Sequence, residues 1–154
     1  MRTAVRRRSP RMGSSTGDGE AGAPTNARNL MENYLMSHHS AEHRSTEMNQ
    51  CITDCFNCAA ICIETINHCL SMGGEHARPE HIALMQTCAE ICTVSANAML
   101  RGTPAHTSTC RACAEICRMC ADDCERVGGS DEAMRRCIEA CRRCADSCAS
   151  MASM

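Results

Sequence analysis

Apolar and polar positions follow one another along the chain in the three- and four-residue steps of an amphipathic helix, and the apolar stripe is made of cysteine. The clearest case is CRACAEICRMCADDC, residues 110–124, whose thiols are spaced three, four, three and four residues apart. This spacing places all five side chains along one face of a helix, where residues three or four apart are neighbours in space. The pattern predicts a helix that turns a row of thiols towards a core.

The same rhythm recurs in three other segments, and the four segments together hold all 16 cysteines. The sequence therefore predicts an all-α fold with four long helices. Because the connections are short, neighbouring helices are expected to be antiparallel, giving an up-down-up-down four-helix bundle with a short extra N-terminal helix. The thiol stripes are Cys51, Cys55, Cys58, Cys62 and Cys69 in the first helix, Cys88 and Cys92 in the second, Cys110, Cys113, Cys117, Cys120 and Cys124 in the third, and Cys137, Cys141, Cys144 and Cys148 in the fourth.

Residues that favour helix ends set the limits of the first two helices. The first is expected to run from about Ser45 to Met72, with Ser45 or Thr46 as its N-cap, since Gly73 and Gly74 can end it. The second is expected to start near Pro79, which suits a first helical turn, and to stop at Gly102.

The third helix is expected to have Thr103 as N-cap and Pro104 as first residue, and to end at Gly128, while Ser130 caps the fourth. Charged residues on the outward faces of these two helices are interpreted as a solvated surface without chemistry of its own. They include Arg111, Glu115, Arg118, Asp122 and Asp123 in the third helix and Arg135, Glu139, Arg142, Arg143 and Asp146 in the fourth.

The N-terminal region lacks cysteine. Residues 1–25 are rich in Gly, Ser, Pro and Arg without periodicity, which predicts a disordered tail, so the bundle domain is expected over residues 26–154. Residues 27–39, ARNLMENYLMSHH, predict a short amphipathic helix outside the bundle or at a subunit contact. The nearby histidines are interpreted as a solvent-exposed cluster: His38, His39 and His43.

Composition narrows the function. Aromatic residues are 1% of the chain, so the core lacks its usual bulk, and the net charge of −2 gives no electrostatic case for nucleic acid. No segment reaches the apolar length of a transmembrane helix. The basic N-terminus has no apolar stretch after its arginines, so we expect no export signal and a cytoplasmic location. In a reducing compartment, 16 cysteines in 154 residues indicate metal binding more than disulfides.

Methionine and histidine continue the stripes where the cysteines stop. Their weaker thioether and imidazole groups suit metal entering or leaving the bundle, although any single methionine is equally well explained as core filling. Antiparallel packing is expected to gather Met48, Met99, His106 and Met151 at one end, and Met72, His81, Met85 and Met134 at the other.

The ligand type favours copper. Thiolates and thioethers select Cu(I), Zn(II) or iron–sulfur clusters. Thiols four residues apart on one straight helix offer pairs of sulfurs, which suits the low coordination number of Cu(I), whereas zinc takes closed tetrahedral sites. One Cu(I) per thiolate also leaves little uncompensated buried charge. We therefore expect multiple Cu(I) ions bound through the cysteines, roughly one per thiol.

Three segments carry a family resemblance: CAEICTVSANAM at residues 88–99, CRACAEICRMCADDC at 110–124 and CRRCADSCASM at 141–151. They resemble the bacterial copper storage proteins, and the similarity covers about residues 30 to 152. The resemblance implies a cysteine-filled four-helix bundle that binds many Cu(I) ions, assembles as a homotetramer and stores or sequesters copper in the cytosol. It also implies that all 16 cysteines match the family's thiol stripes and that a copper chaperone is a possible partner.

The chain departs from some cytosolic relatives, which carry histidines in the loop between the last two helices. Here that loop reads VGGSDE, residues 127–132. A histidine-lined mouth is therefore expected from His68, His76 or His81 at the same end of the bundle, or from His106 at the other.

Other functions remain open from the sequence. A zinc or mixed-metal protein similar to metallothionein is the main alternative, because zinc also binds thiolates. A thiol–disulfide enzyme would use C-x-x-C pairs such as Cys55 with Cys58, but these pairs lie within predicted helices and no strands are predicted. A bundle stapled by disulfides is the third alternative. The favoured expectation is a binding protein, not an enzyme.

Overall fold

The computed structural model describes residues 44–154, which form four helices. Helix α1 spans Thr46–Met72, α2 spans Pro79–Leu100, α3 spans His106–Gly128 and α4 spans Glu132–Ala152. Every cysteine lies in one of these helices, and all of them face the interior. The predicted all-α four-helix bundle is confirmed.

Sulfur contacts establish the direction of the helices. Cys51, near the start of α1, has its Sγ atom 3.6 Å from that of Cys148, near the end of α4. Cys92 in the second half of α2 contacts Cys113 in the first half of α3 at the same distance of 3.6 Å. Neighbouring helices are therefore antiparallel, and α1 packs beside α4 to close the bundle.

Helix α1 begins and ends where the sequence predicts. The Oγ atom of Ser45 accepts a hydrogen bond from the Met48 N–H at 3.1 Å, which satisfies one of the free donors of the first turn. Gly73 ends the helix with φ of +70°, a conformation that glycine adopts without a steric penalty. The sequence did not predict the next element, a 3-10 helix at Gly74–Ala77 that leads into α2.

Two predicted caps were wrong by one or two residues. The N–H of His106 donates to Thr103 O at 3.1 Å, so Thr103 and Pro104 belong to a turn and α3 begins two residues after Pro104. Asp131, not Ser130, caps α4, because its side chain accepts a hydrogen bond from the Met134 N–H at 3.1 Å. Both carboxylate and hydroxyl groups can cap a helix, so local sequence does not separate them.

The core is built from sulfur and small residues. Alanines at the flanks of the thiol stripes let the helices approach, and four fully buried methionines fill the larger gaps. Cysteine is small and weakly polar, so it packs here in the positions that leucine takes in an ordinary bundle. The buried alanines are Ala59, Ala89, Ala96, Ala98, Ala114, Ala121, Ala140 and Ala145, and the fully buried methionines are Met85, Met99, Met134 and Met151.

Some predictions concern other parts of the chain. The disordered tail at 1–25, the short helix at 27–39 and the histidine cluster before Arg44 lie outside the described residues, so the domain limits of 26–154 stay a prediction. Among the helices of the described region, none is both long and apolar enough to cross a membrane.

Candidate metal centre

All 16 cysteines are free thiols, and none of them is exposed to solvent. The stripe on each helix turns its sulfurs to the bundle axis because the spacing of three and four residues follows the helix period. Four such stripes meet along one axis, so the interior is a column of sulfur atoms. We call every cysteine except Cys69 an interior thiol, since Cys69 has a different set of neighbours.

The interior thiols contact one another across the helices. Sulfur-to-sulfur distances are 3.4 Å between Cys55 and Cys148 and 3.5 Å between Cys92 and Cys117. Contacts also cross the bundle diagonally, as between Cys88 in α2 and Cys141 in α4 at 3.9 Å. A metal–sulfur bond of about 2.3 Å places two tetrahedral ligands about 3.8 Å apart, so these sulfurs are spaced closely enough to share an ion.

The sulfurs form groups that share members. In each group, all Sγ atoms lie within 4.8 Å of one another and every member is buried. Because several thiols belong to two groups, ions bound in neighbouring groups would be bridged by a common sulfur. The groups are Cys55, Cys113, Cys144 and Cys148; Cys58, Cys62, Cys88 and Cys141; Cys58, Cys92, Cys117 and Cys144; Cys62, Cys120, Cys137 and Cys141; and Cys51, Cys110 and Cys148.

Hydrogen bonds between thiols shift their proton affinities in opposite directions. Those with Cys117 and Cys141 lower the pKa of Cys58. Those with Cys120 and Cys137, with burial in addition, raise the pKa of Cys141. Metal binding to these thiols must release their protons, because thiolate is the ligand.

Cys69 lies at the end of the bundle that holds the turn between α1 and α2. Its Sγ atom is 3.5 Å from the Met134 Sδ atom, 3.6 Å from His81 Nε2 and 3.8 Å from His76 Nδ1. Cys69 belongs to none of the sulfur groups of the interior. We call these four residues the Cys69 cluster. Burial raises the pKa of the Cys69 thiol to about 11.

His81 is held by a carboxylate. Its Nδ1–H donates to Asp123 Oδ2 at 2.7 Å, and its Nε2 atom faces the Cys69 sulfur. The ring is 2% exposed. Burial opposes ionisation of Asp123, but the hydrogen bonds from His81 and Arg126 dominate and lower the pKa of its carboxyl group. Asp123, which was expected on the solvated outer face, is therefore half-buried and paired with His81.

The His76 ring packs against Gly128, a residue without a side chain. A Cβ atom on Gly128 would lie 2.5 Å from His76 Cε1, so a larger residue at the end of α3 would displace the imidazole. His68 lies nearby, with ring centroids 6.2 Å from His76, but its Nε2 atom pairs with Asp131 at 3.1 Å. Of the three histidines expected at this end, two face Cys69 and one faces a carboxylate.

Met72 and Met85 complete the residues expected at this end. Met85 is fully buried, whereas Met72 is 57% exposed and does not continue the stripe inward. Met72 is the last residue of α1, where the helix ends and the interior gives way to solvent.

The opposite end contains the other four expected residues. Met99 and Met151 are buried, and Met48 is partly buried against the core. The Nδ1 atom of His106 lies 2.8 Å from Thr103 O and therefore donates to it. Its Nε2 atom is buried without a hydrogen-bond partner among the described residues.

Comparison with known proteins decides the family. The family model described as "Copper storage protein" matches residues 44–153, which is most of the chain and the whole bundle. This chain belongs to the copper storage protein family. No curated protein matches the chain.

Solved structures with a similar fold include two copper storage proteins and one protein without a stated function. A Cu(I)-bound copper storage protein, BsCsp3, is 31% identical, with 70% of this chain and 99% of that chain covered and a TM-score of 0.64. A cytosolic copper storage protein from Streptomyces lividans, loaded with five coppers, is 30% identical over 70% of this chain and 93% of that chain, with a TM-score of 0.61. The protein Nmul_A1745 from Nitrosospira multiformis is 40% identical over 71% of this chain and 98% of that chain, with a TM-score of 0.66.

Proposed function

We propose that this protein stores Cu(I) as thiolate-bridged clusters inside the bundle. The observation that carries the proposal is the sharing of thiols between buried sulfur groups, since shared thiolates let many ions occupy one continuous column. Singly charged ions at about one per thiolate also neutralise the buried charge, which divalent ions with four thiolates each would not. Membership in the copper storage family supports the same function.

The proposed storage ligands are all 16 cysteines, with the interior thiols as the main store. Methionine and histidine at the two ends are proposed as weaker ligands through which copper enters and leaves. The Cys69 end is the better candidate, because two imidazoles and a thioether lie within 3.8 Å of the Cys69 sulfur. Met72 is not included among these proposed weaker ligands, because its side chain is mostly exposed to solvent.

The test is a titration of the reduced protein with Cu(I) under anaerobic conditions, against a competing chelator of known affinity. We expect uptake to approach one Cu(I) per thiol and Zn(II) to occupy far fewer sites in a parallel titration. Saturation at one or two Cu(I) ions would contradict storage. About four tight Zn(II) ions would instead support the zinc alternative.

Compartment, partners and catalysis belong to the proposal as well. We propose a cytoplasmic location, since the similar Streptomyces lividans protein is described as cytosolic. Self-association into a homotetramer is supported by apolar side chains on the outer faces of α1 and α2, among them Ile63 and Val94, which are 56% and 49% exposed. A copper chaperone is the proposed donor. We propose a role without turnover, because thiols with no solvent exposure suit retention of an ion more than attack on a substrate.

A further inference from the structure

The Cys69 cluster differs in chemistry from the rest of the interior. An interior thiol faces other thiols, whereas Cys69 faces two imidazole nitrogens and one thioether sulfur. One thiolate with two imidazoles and a methionine is a ligand set that proteins use to hold a single copper ion, and imidazole also suits zinc. The cluster has the donor set of a mononuclear site, separate from the bridged groups. The ligand atoms of Cys69, His76 and His81 do not all lie within 4.8 Å of one another, so an ion must draw the two imidazoles together.

We propose that the Cys69 cluster binds one divalent ion, Zn(II) or Cu(II), while the interior thiols bind Cu(I). The inference rests on the proposed function only in assigning Cu(I) to the interior. The site is formed by Cys69 Sγ, His81 Nε2, His76 Nδ1 and Met134 Sδ.

Charge favours a divalent ion at this site and disfavours it in the interior. One thiolate and two neutral imidazoles leave a divalent ion with one net positive charge. The Asp123 carboxylate, 2.7 Å from His81, lies on the far side of the imidazole and offsets that charge. A divalent ion among four interior thiolates would instead carry two excess negative charges in a buried position, which is costly.

The His81–Asp123 pair has the geometry of a supported metal ligand. Histidines that bind metals commonly donate their second ring N–H to a carboxylate, which fixes the tautomer and makes the free nitrogen a better donor. Here Nδ1 donates to Asp123 and Nε2 faces the Cys69 sulfur. An imidazole that is 2% exposed and directed at a thiol by a carboxylate indicates a ligand more than a packed side chain.

His76 is the donor that must move most. It is the farthest of the three from Cys69, at 3.8 Å, and it lies on the short 3-10 helix at Gly74–Ala77. Glycines with positive φ precede it, Gly73 at +70° and Gly74 at +57°, so this turn has few side-chain constraints. Closure of His76 onto an ion therefore needs a change in a surface turn and leaves the four long helices in place.

The test uses Co(II) as the probe, because thiols do not reduce it and its absorption reports coordination. The reduced, full-length protein is titrated with Co(II) under anaerobic conditions. We expect one Co(II) per chain with the visible bands of a four-coordinate ion and a thiolate-to-cobalt charge-transfer band of one sulfur. Cys69→Ser is expected to abolish that band. Binding of several ions with four-thiolate intensity, or the same band in Cys69→Ser, would overturn the proposal.

Three variants separate ligation from folding. Asp123→Asn keeps the size of the side chain and removes the carboxylate, so we expect Co(II) affinity to fall by about 10- to 100-fold. Gly128→Ala displaces the His76 ring without removing any donor and is expected to weaken Co(II) binding severalfold. His68→Ala is the matched control, since His68 pairs with Asp131 and should leave the spectrum unchanged. Unchanged Co(II) affinity in both Asp123→Asn and Gly128→Ala would contradict the proposed site.

Two further experiments distinguish zinc from copper as the ion bound at the Cys69 cluster. Displacement of Co(II) by one equivalent of Zn(II) would assign zinc. Alternatively, stopped-flow mixing with Cu(II) would give a transient thiolate-to-Cu(II) band, absent in Cys69→Ser, which would assign copper. The band decays because two interior thiolates joining in one disulfide release two electrons, which reduce two Cu(II) ions to Cu(I). If Zn(II) does not displace Co(II) and no transient thiolate-to-Cu(II) band appears, the proposal is overturned.

Cu(I) titration of the same variants keeps the two proposals apart. Cys69→Ser and Asp123→Asn leave the interior thiols intact, so they should retain most of the Cu(I) capacity. If Cu(I) uptake persists while Co(II) finds no site at Cys69, the divalent site is wrong and storage stands. If the wild-type protein takes up no Cu(I), the storage proposal is wrong, whether or not Co(II) binds.

Discussion

The Sγ atoms of Cys55 and Cys148 lie 3.4 Å apart, although the two residues are 93 positions apart in the sequence. One thiol is in α1 and the other in α4, and both belong to the same four-sulfur group. Cys148 also belongs to a second group, with Cys51 and Cys110. A thiol of this kind belongs to two sulfur groups, whereas a thiol outside the groups belongs to none.

This difference predicts unequal effects of single substitutions. Cys148→Ser should lower Cu(I) capacity by more than one ion, because both of its groups lose a ligand. Cys124→Ser is the matched control, since Cys124 contacts Cys137 at 3.9 Å but belongs to none of the groups, and it should cost at most one ion. Anaerobic Cu(I) titration against a chelator measures both. Equal losses would contradict a network of shared thiols.

The stability of the apo bundle should fall at alkaline pH. Burial raises the pKa of Cys69 from 9.0 to about 11, so between these values the unfolded chain releases this proton and the folded chain keeps it. The unfolded state then binds fewer protons, and the free energy of unfolding decreases as pH rises through this window. Urea unfolding under reducing conditions at pH 8 and pH 10 measures the change.

The contribution of Cys69 is isolated by comparing the wild-type protein with Cys69→Ser. The serine variant should lose less stability between pH 8 and pH 10, because serine does not ionise in this range. An identical pH dependence in the two proteins would show that Cys69 titrates as in the unfolded chain.

The end at which copper enters should be revealed by matched thioether substitutions. Met134→Leu and Met151→Leu each replace a buried methionine by a residue of similar volume, so the core should tolerate both. Because the Met134 Sδ atom lies 3.5 Å from Cys69, we expect Met134→Leu to slow Cu(I) transfer from a chelator severalfold, with total capacity unchanged. Stopped-flow transfer kinetics give the rates. If Met151→Leu slows Cu(I) transfer more than Met134→Leu does, copper enters at the opposite end of the bundle.

The small residues beside the thiols should be intolerant of bulk. Ala121 in α3 is fully buried, so Ala121→Leu forces the helices apart or strains side chains, at a cost of about 1 to 3 kcal/mol. Ala60→Leu, on the exposed face of α1, serves as the control and should change stability by less than about 0.5 kcal/mol. Urea denaturation of the reduced apo proteins measures both. Equal stability of the two variants would mean that the interior has room for larger side chains.

Local sequence was enough to predict the helices and the direction of the thiols. The steps of three and four residues depend only on the helix period, and caps such as Ser45 and Gly73 act within a single turn. For this reason the bundle, the sulfur-lined interior and most helix limits followed from spacing and turn residues. The errors at Thr103 and Ser130 were of one or two residues, where neighbouring side chains can serve the same role.

Only the tertiary structure separated Cys69 from the other thiols and paired Asp123 with His81. By spacing, Cys69 is one more member of its stripe, and Asp123 is an outward charge next to Cys124. Their roles depend on His81, which comes from another helix and meets both side chains at the end of the bundle. Periodicity fixes the face of a helix on which a residue lies. The groups that it meets there depend on helix packing, and distances of a few ångströms between helices are set by the whole core.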